Sequence, residues 1–149
     1  MSAKRPFDRR SAARAVARRL ALQALYRWQL NDSPWQDLVR EFADEPDMAK
    51  ADADYFRQLL AEVGSERVAL DAELARWSEI PPAALDAVER AALWIGVNEL
   101  RVHPELPGRV VINEAVQLAK RYGATDGYKF VNAVLDRAAR ALRPREFDG

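Results

Sequence analysis

The sequence predicts an all-α protein of about six or seven helices, arranged as two packed three-helix-bundle halves. Three observations lead there. Apolar residues return at every third or fourth position along most of the 149-residue chain, as in helices with one buried face. No stretch alternates apolar and polar residues with the period of two that a half-buried strand requires. The breaks between periodic stretches fall on proline, glycine and short polar clusters, which end helices.

Residues 1–8 contain Pro6 and little that packs, and read as a mobile arm within a basic stretch of residues 1–13. A first helix is expected from about Arg9 to Leu30. Arg10, Arg14 and Arg18 recur at four-residue spacing and form one exposed stripe on its N-terminal half. Leu20, Leu22, Leu25, Tyr26, Trp28 and Leu30 surround most of the circumference of its second half and predict burial there. Ser33-Pro34 reads as the cap and first residue of a second helix, with Trp35, Leu38, Val39 and Phe42 inward. A third helical region buries Tyr55, Phe56, Leu59, Leu60 and Val63, breaks at Gly64-Ser65, and resumes with Leu70, Leu74 and Trp77. Ile80-Pro81-Pro82 is the clearest internal boundary and divides a half of residues 14–79 from one of residues 80–144. The halves are expected to pack into a single domain.

The next helix, from about Asp86 to Arg101, carries Leu85, Val88, Ala92, Leu93, Ile95, Val97 and Leu100 on two adjoining faces and should be central. Glycine inside a helix costs about 1 kcal/mol relative to alanine, so Gly96 implies that another helix approaches closely. A helical hairpin follows from Val110 to Pro144. Val111, Ala115, Leu118, Ala119 and Tyr122 line its first arm, which Gly123 is expected to end in the left-handed conformation. Thr125 or Asp126 is expected to cap the second arm, where Val131, Val134, Leu135, Ala138 and Leu142 point inward. Its other face holds Lys129, Asn132, Arg137, Arg140 and Arg143, with Asp136 alone against them.

Composition removes most chemistry. The chain has no cysteine, so thiol catalysis, disulfides and cysteine zinc sites are excluded. Its six glycines match no Walker loop or dinucleotide fingerprint, and no serine sits in a nucleophile elbow. The one histidine, His103, precedes a proline and lacks a second ligand of its kind, which favours a structural or solvated role over metal binding. Asp52 with Asp54 and Asp44 with Glu45 lie in an acidic stretch that gives no case for general acid–base work. The reading is a binding protein with no catalytic residue, metal or cofactor. No apolar run reaches the roughly 20 residues that cross a bilayer, so a soluble, cytoplasmic chain is expected.

The formal net charge is zero, but unlike regions cancel. Residues 1–19 hold seven basic side chains against Asp8, residues 32–89 hold fifteen acidic against five basic, and residues 101–145 hold nine basic against four acidic. Basic ends suit a polyanion and an acidic middle suits a basic protein. The arginine stripe can be a solvated face, yet its like charges repel by a few tenths of a kcal/mol per pair, and a guanidinium fork suits phosphate. Near the hairpin loop, Tyr122, Tyr128 and Phe130 lie close to Lys120, Arg121 and Lys129, a mixture of rings and cations that holds unstacked bases of single-stranded RNA. At least one of those rings is expected to fill the core instead. Trp77 is open to both readings.

Ile112-Asn113-Glu114-Ala115, Leu118-Ala119-Lys120, Gly123-Ala124-x-Asp126 and Lys129-Phe130-Val131-Asn132-x-Val134-Leu135-Asp136 together closely resemble the C-terminal signature of the bacterial NusB family of transcription antitermination factors. Ala24-Leu25-Tyr26-x-Trp28-Gln29-Leu30 and Tyr55-Phe56-x-x-Leu59-Leu60 extend the resemblance to roughly residues 14–144. It implies a NusB-like, non-enzymatic factor that recognises boxA RNA in a heterodimer with the small-subunit ribosomal protein NusE. Such a factor supports processive antitermination by RNA polymerase, notably in ribosomal RNA operons. By position the resemblance puts Arg14 and Arg18 on the RNA surface, to which the stripe adds Arg10. Trp77 stands where relatives have tyrosine and Tyr122 where they have phenylalanine, while Asp126, Lys129 and Phe130 match unchanged. Ala15, Val16 and Tyr128 depart from some relatives. Glu89 matches a glutamate at the partner interface. A homodimer of the free chain is compatible with the resemblance, and a membrane partner is not expected. Two rivals are a helical protein–protein scaffold without RNA binding and the helical module of certain ribosomal RNA cytosine methyltransferases, for whose methyl-donor domain the chain leaves no room.

Overall fold

The computed structural model describes residues 6–31 and 33–147; residues 1–5 of the expected arm lie outside them. Among the described residues are eight α-helices, two short 3-10 turns and no strand. The chain forms two compact units, residues 1–64 and 65–149.

The first unit holds α1 (Pro6–Leu30), α2 (Trp35–Phe42) and α3 (Ala53–Ser65, whose last residue begins the second unit), with a 3-10 turn at Pro46–Lys50. Helix α1 starts earlier than expected, at Pro6, because proline's fixed φ suits a first helical position. Leu20, Leu22 and Leu25 are buried on α1, but Tyr26 and Leu30 are 40% and 61% exposed, so the expected burial all round its second half does not occur. Leu38, Phe42, Phe56, Leu59, Leu60 and Val63 are also buried, the Phe42 and Phe56 rings lying 5.9 Å apart. Gly64 leaves room for Trp35, whose ring would be 2.5 Å from a β-carbon there. Asp52 fastens α3 to α1: its amide donates to Ala13 O at 3.0 Å, and its carboxylate accepts from Tyr55 N at 3.0 Å.

The second unit holds α4 (Arg67–Trp77), α5 (Ala87–Val102), α6 (Gly108–Tyr122), α7 (Gly127–Leu142) and α8 (Pro144–Phe147). Helix α4 groups with this unit because it packs on α5 and α7, whereas the sequence places its division later, at Ile80-Pro81-Pro82. Helix α5 contacts α4, α6 and α7, and every residue from Ala91 to Leu100 is buried. Asp86 caps it, accepting from Val88 N and Glu89 N at 3.1 Å. Gly96 meets the close approach inferred for it, since a β-carbon there would lie 2.8 Å from Leu135 Cδ1 of α7. Trp94 is fully buried and donates from Nε1 to Asp71 Oδ1 at 2.8 Å, while Arg90 donates to Asp71 Oδ2 at 2.6 Å.

Arg143 does not join the outer basic face. Its side chain is 9% exposed and donates to the carbonyls of Leu100, Leu106 and His103 at 2.9 Å, and of Glu99 at 3.3 Å. The Glu99 and His103 carbonyls also accept the amides of His103 and Leu106, so the guanidinium adds a second donor there while it reaches Leu100 and Leu106 at the end of α5 and in the following loop. Pro144 ends α7 as expected and also opens α8, from which Glu146 Oε1 accepts the Gly108 amide at 2.7 Å. The last short helix thus holds the start of α6 and the end of α5.

Candidate nucleic-acid interface

In the first unit the expected arginine stripe divides. Arg10 is exposed. Arg14 lies with its guanidinium 4.4 Å above the Tyr55 ring and its Nε 3.8 Å from Asp52 Oδ2. Arg18 is 4% exposed and 5.5 Å from the same ring. The stripe as an exposed row is corrected for a physical reason: guanidinium is planar and weakly hydrated, and an aromatic face attracts it. The charge repulsion along α1 is offset by an aromatic ring and a carboxylate from the α3 end of the unit, not by a glutamate on α1. Arg14 Nε is itself buried without a hydrogen bond among the described residues.

In the second unit the α6–α7 junction gathers most of the other predicted residues. Tyr122 ends α6, half-buried, with the Arg121 guanidinium 5.1 Å from its ring. Gly123 is not left-handed; its φ is −88°, and a side chain there would meet Ala119 O at 2.7 Å, so close approach and not a positive φ requires glycine. The left-handed residue is Asp126, with φ 65°. It occupies the cap position of α7 without a side-chain capping bond, and its exposed carboxylate pairs with Lys129 Nζ at 3.5 Å. Aspartate tolerates this φ better than most residues. Tyr128 is half-buried beneath Lys120 Nζ, 4.8 Å away, and Phe130 is half-buried as well. None of the three rings is fully buried, contrary to the expectation that one fills the core; buried Gly127 occupies the inner position of this loop.

Glu89 belongs to the same junction. Its carboxylate accepts a hydrogen bond from the Ala124 amide, and it sits so close to Gly127 that a β-carbon there would collide with Oε2. Glu89 is 8% exposed; burial first and the Asp86 charge second push its pKa above the ordinary 4.5, and the Ala124 amide opposes them. Trp77, half-buried at the end of α4, donates from Nε1 to Glu73 Oε2 at 2.7 Å, and its carbonyl accepts from Arg137 Nε at 3.0 Å. His103 is 4% exposed with Nδ1 3.1 Å from Glu105 Oε2. No group of three or more metal-ligating side chains occurs among the described residues, and no helix is long and apolar enough to cross a membrane.

Sequence reasoning missed the Arg14–Tyr55–Arg18 stack, the Glu89 socket and the Arg143 anchor. A signal existed for the first, since Tyr55 carries a polar hydroxyl in an otherwise apolar stripe. None existed for the backbone groups that Glu89 and Arg143 meet, although Glu146, three residues on, also pairs with Arg143.

Helical units with half-exposed rings flanked by cations at one loop define an α-helical binding protein. A model of the NusB family matches residues 15–140, and the chain belongs to that family. Curated relatives named transcription antitermination protein NusB include those of Teredinibacter turnerae, 44% identical over 93% of this chain and 95% of that one, and Idiomarina loihiensis, 43% identical over 89% and 96%. Two solved structures share the fold. One is a NusB from T. maritima, 28% identical with a TM-score of 0.78 over 99% of this chain and all of that one. The other is a complex of antitermination factors NusB and NusE with double-stranded RNA, 29% identical with a TM-score of 0.76 over 85% of this chain and 96% of that one. The family is one of antitermination factors and is not enzymatic.

Proposed function

We propose that this chain is a transcription antitermination factor that binds boxA-type single-stranded RNA together with NusE, supporting processive transcription, notably of ribosomal RNA operons. The α6–α7 junction carries the reading. Tyr122, Tyr128 and Phe130 each keep part of a ring open beside Arg121, Lys120 or Lys129, so bases have faces to stack on and phosphates have cations nearby. The likeness to a solved NusB, NusE and RNA complex supports the same partners. Arg10, Trp77, Asp126, Lys129 and Phe130 are the proposed RNA contacts with Tyr122; Arg14 reaches RNA from the Tyr55 stack, and buried Arg18 holds that stack in place. Glu89 serves the NusE interface through the loop it supports. The cytoplasm is the proposed compartment and the RNA polymerase antitermination complex the proposed assembly, with a homodimer proposed for the free chain.

The test is a titration of labelled boxA RNA, as a single strand and as a duplex, with and without NusE, over a range of salt concentrations. Each phosphate contact should contribute a slope of about −0.7 in log affinity against log salt for the single strand. NusE should tighten binding of the single strand. Binding of NusE without any salt-dependent affinity for either RNA would establish the scaffold reading instead.

A further inference from the structure

The opposite end of the second unit from the α6–α7 junction is also cationic. Arg101 in the last turn of α5, Arg109 in the first turn of α6, Arg140 in the last turn of α7 and Arg145 in α8 are all exposed there. The Phe147 ring organises two of them, with the Arg109 guanidinium 5.3 Å and the Arg140 guanidinium 5.7 Å from its centre. The described carboxylates of this end are already occupied: Glu146 by the Gly108 amide and Arg143, Asp136 by Arg140 at 3.0 Å, and Glu105 by His103. Arg101, Arg109 and Arg145 have no carboxylate partner among the described residues. Guanidinium groups gathered at one end of the unit, with only Asp136 set against one of them, repel, and a polyanion relieves that repulsion.

A path leads to this end from the junction. Lys129, Asn132, Asp136 and Arg140 follow one another at three- and four-residue spacing along a single exposed or half-exposed stripe of α7. At 1.5 Å per residue, Lys129 and Arg140 stand about 16 Å apart along the helix. That interval suits a chain of phosphates more than one compact anion.

We infer that Arg101, Arg109, Arg140 and Arg145 form a second, sequence-independent phosphate-binding surface, which holds RNA flanking the segment bound at the α6–α7 junction. This rests on the RNA-binding reading above. Phosphate contacts of this kind add affinity and salt dependence without base preference.

The experiment uses the full chain and the variant Arg101→Gln/Arg145→Gln, two exposed residues with no ion pair among the described residues, after thermal melts establish that both proteins fold alike. Each is titrated by fluorescence anisotropy with the boxA element alone and with a longer transcript carrying it between flanks. The parent should bind the longer RNA more tightly and with a steeper salt slope. The variant should lose that gain and about 0.7 of slope for each phosphate contact removed, while binding the short element as the parent does. Equal binding of the longer RNA by both proteins, or no gain from the flanks in the parent, would overturn the second surface while leaving the first intact. Failure of the parent to bind either RNA would instead overturn the RNA reading itself.

Discussion

Glu89 is a buried carboxylate, and its effect on stability has a definite sign. A carboxyl whose folded pKa is raised contributes stability below its unfolded value, and that contribution is lost as pH rises through the folded value. Near neutral pH the Glu89 charge therefore opposes folding. Glu89→Gln, which keeps an oxygen for the Ala124 amide, should melt above the parent at neutral pH and lose that advantage as pH falls toward 4.5. A difference in melting temperature that ignores pH would show that the carboxylate is solvated. Asp126 separates charge from backbone conformation in the same way. Asp126→Asn tolerates the left-handed φ and removes an anion from the proposed RNA loop, so RNA should bind more tightly at low salt, with stability changed by no more than about 0.5 kcal/mol. Asp126→Ala removes the same charge but should cost about 1–2 kcal/mol for the unfavourable φ. Unchanged RNA binding by the asparagine variant, measured at low salt, would place this loop away from RNA.

At the scale of elements, Arg143 and α8 make a prediction that the outer-face reading of α7 does not. Arg143→Ala should destabilise the chain by about 3 kcal/mol or more in urea unfolding, because the carbonyls of Glu99, Leu100 and His103 lose a donor inside the fold. Exposed Arg145→Ala should stay within about 0.5 kcal/mol. Similar midpoints for the two variants would mean that water replaces the guanidinium. Helix existence and order were legible in the sequence because three- and four-residue spacing survives whatever the helix packs against. The ends were less legible. Gly123 reads as a left-handed stop from its residue type, yet the positive φ falls at Asp126, since the choice is made by how α6 and α7 must close around Gly127. Arg143 reads as one more surface cation because most of its partners are main-chain carbonyls, which are the same in every sequence.

At the scale of the whole molecule, zero net charge and a sequence pI near 6.6 combine with strong segregation of charge. Molecules with basic ends and an acidic middle attract one another when ionic strength is low. Light scattering near the pI should therefore show association at low salt that added salt disperses; association strengthened by salt would point to apolar contacts instead. The segregation was plain in the sequence, as were the residues of the α6–α7 junction. Accessibility was not plain: Arg14 and Arg18 have the spacing of a solvent-facing row, and only the packed position of Tyr55 shows that they fold down onto a ring.

The fit between Gly96 and Leu135 means that these two positions cannot drift independently over evolutionary time. A methyl group at 96 meets the Leu135 side chain in the buried seam between α5 and α7, so it is accommodated most readily once position 135 shortens. Gly96→Ala alone should lower stability in spite of alanine's better helix propensity, and Leu135→Val alone should lower it by leaving a void. Together they should lose less than the sum of the two, in a double-mutant cycle read by urea unfolding. Strict additivity would show that the two helices move apart to admit the methyl group, and that either position can change first.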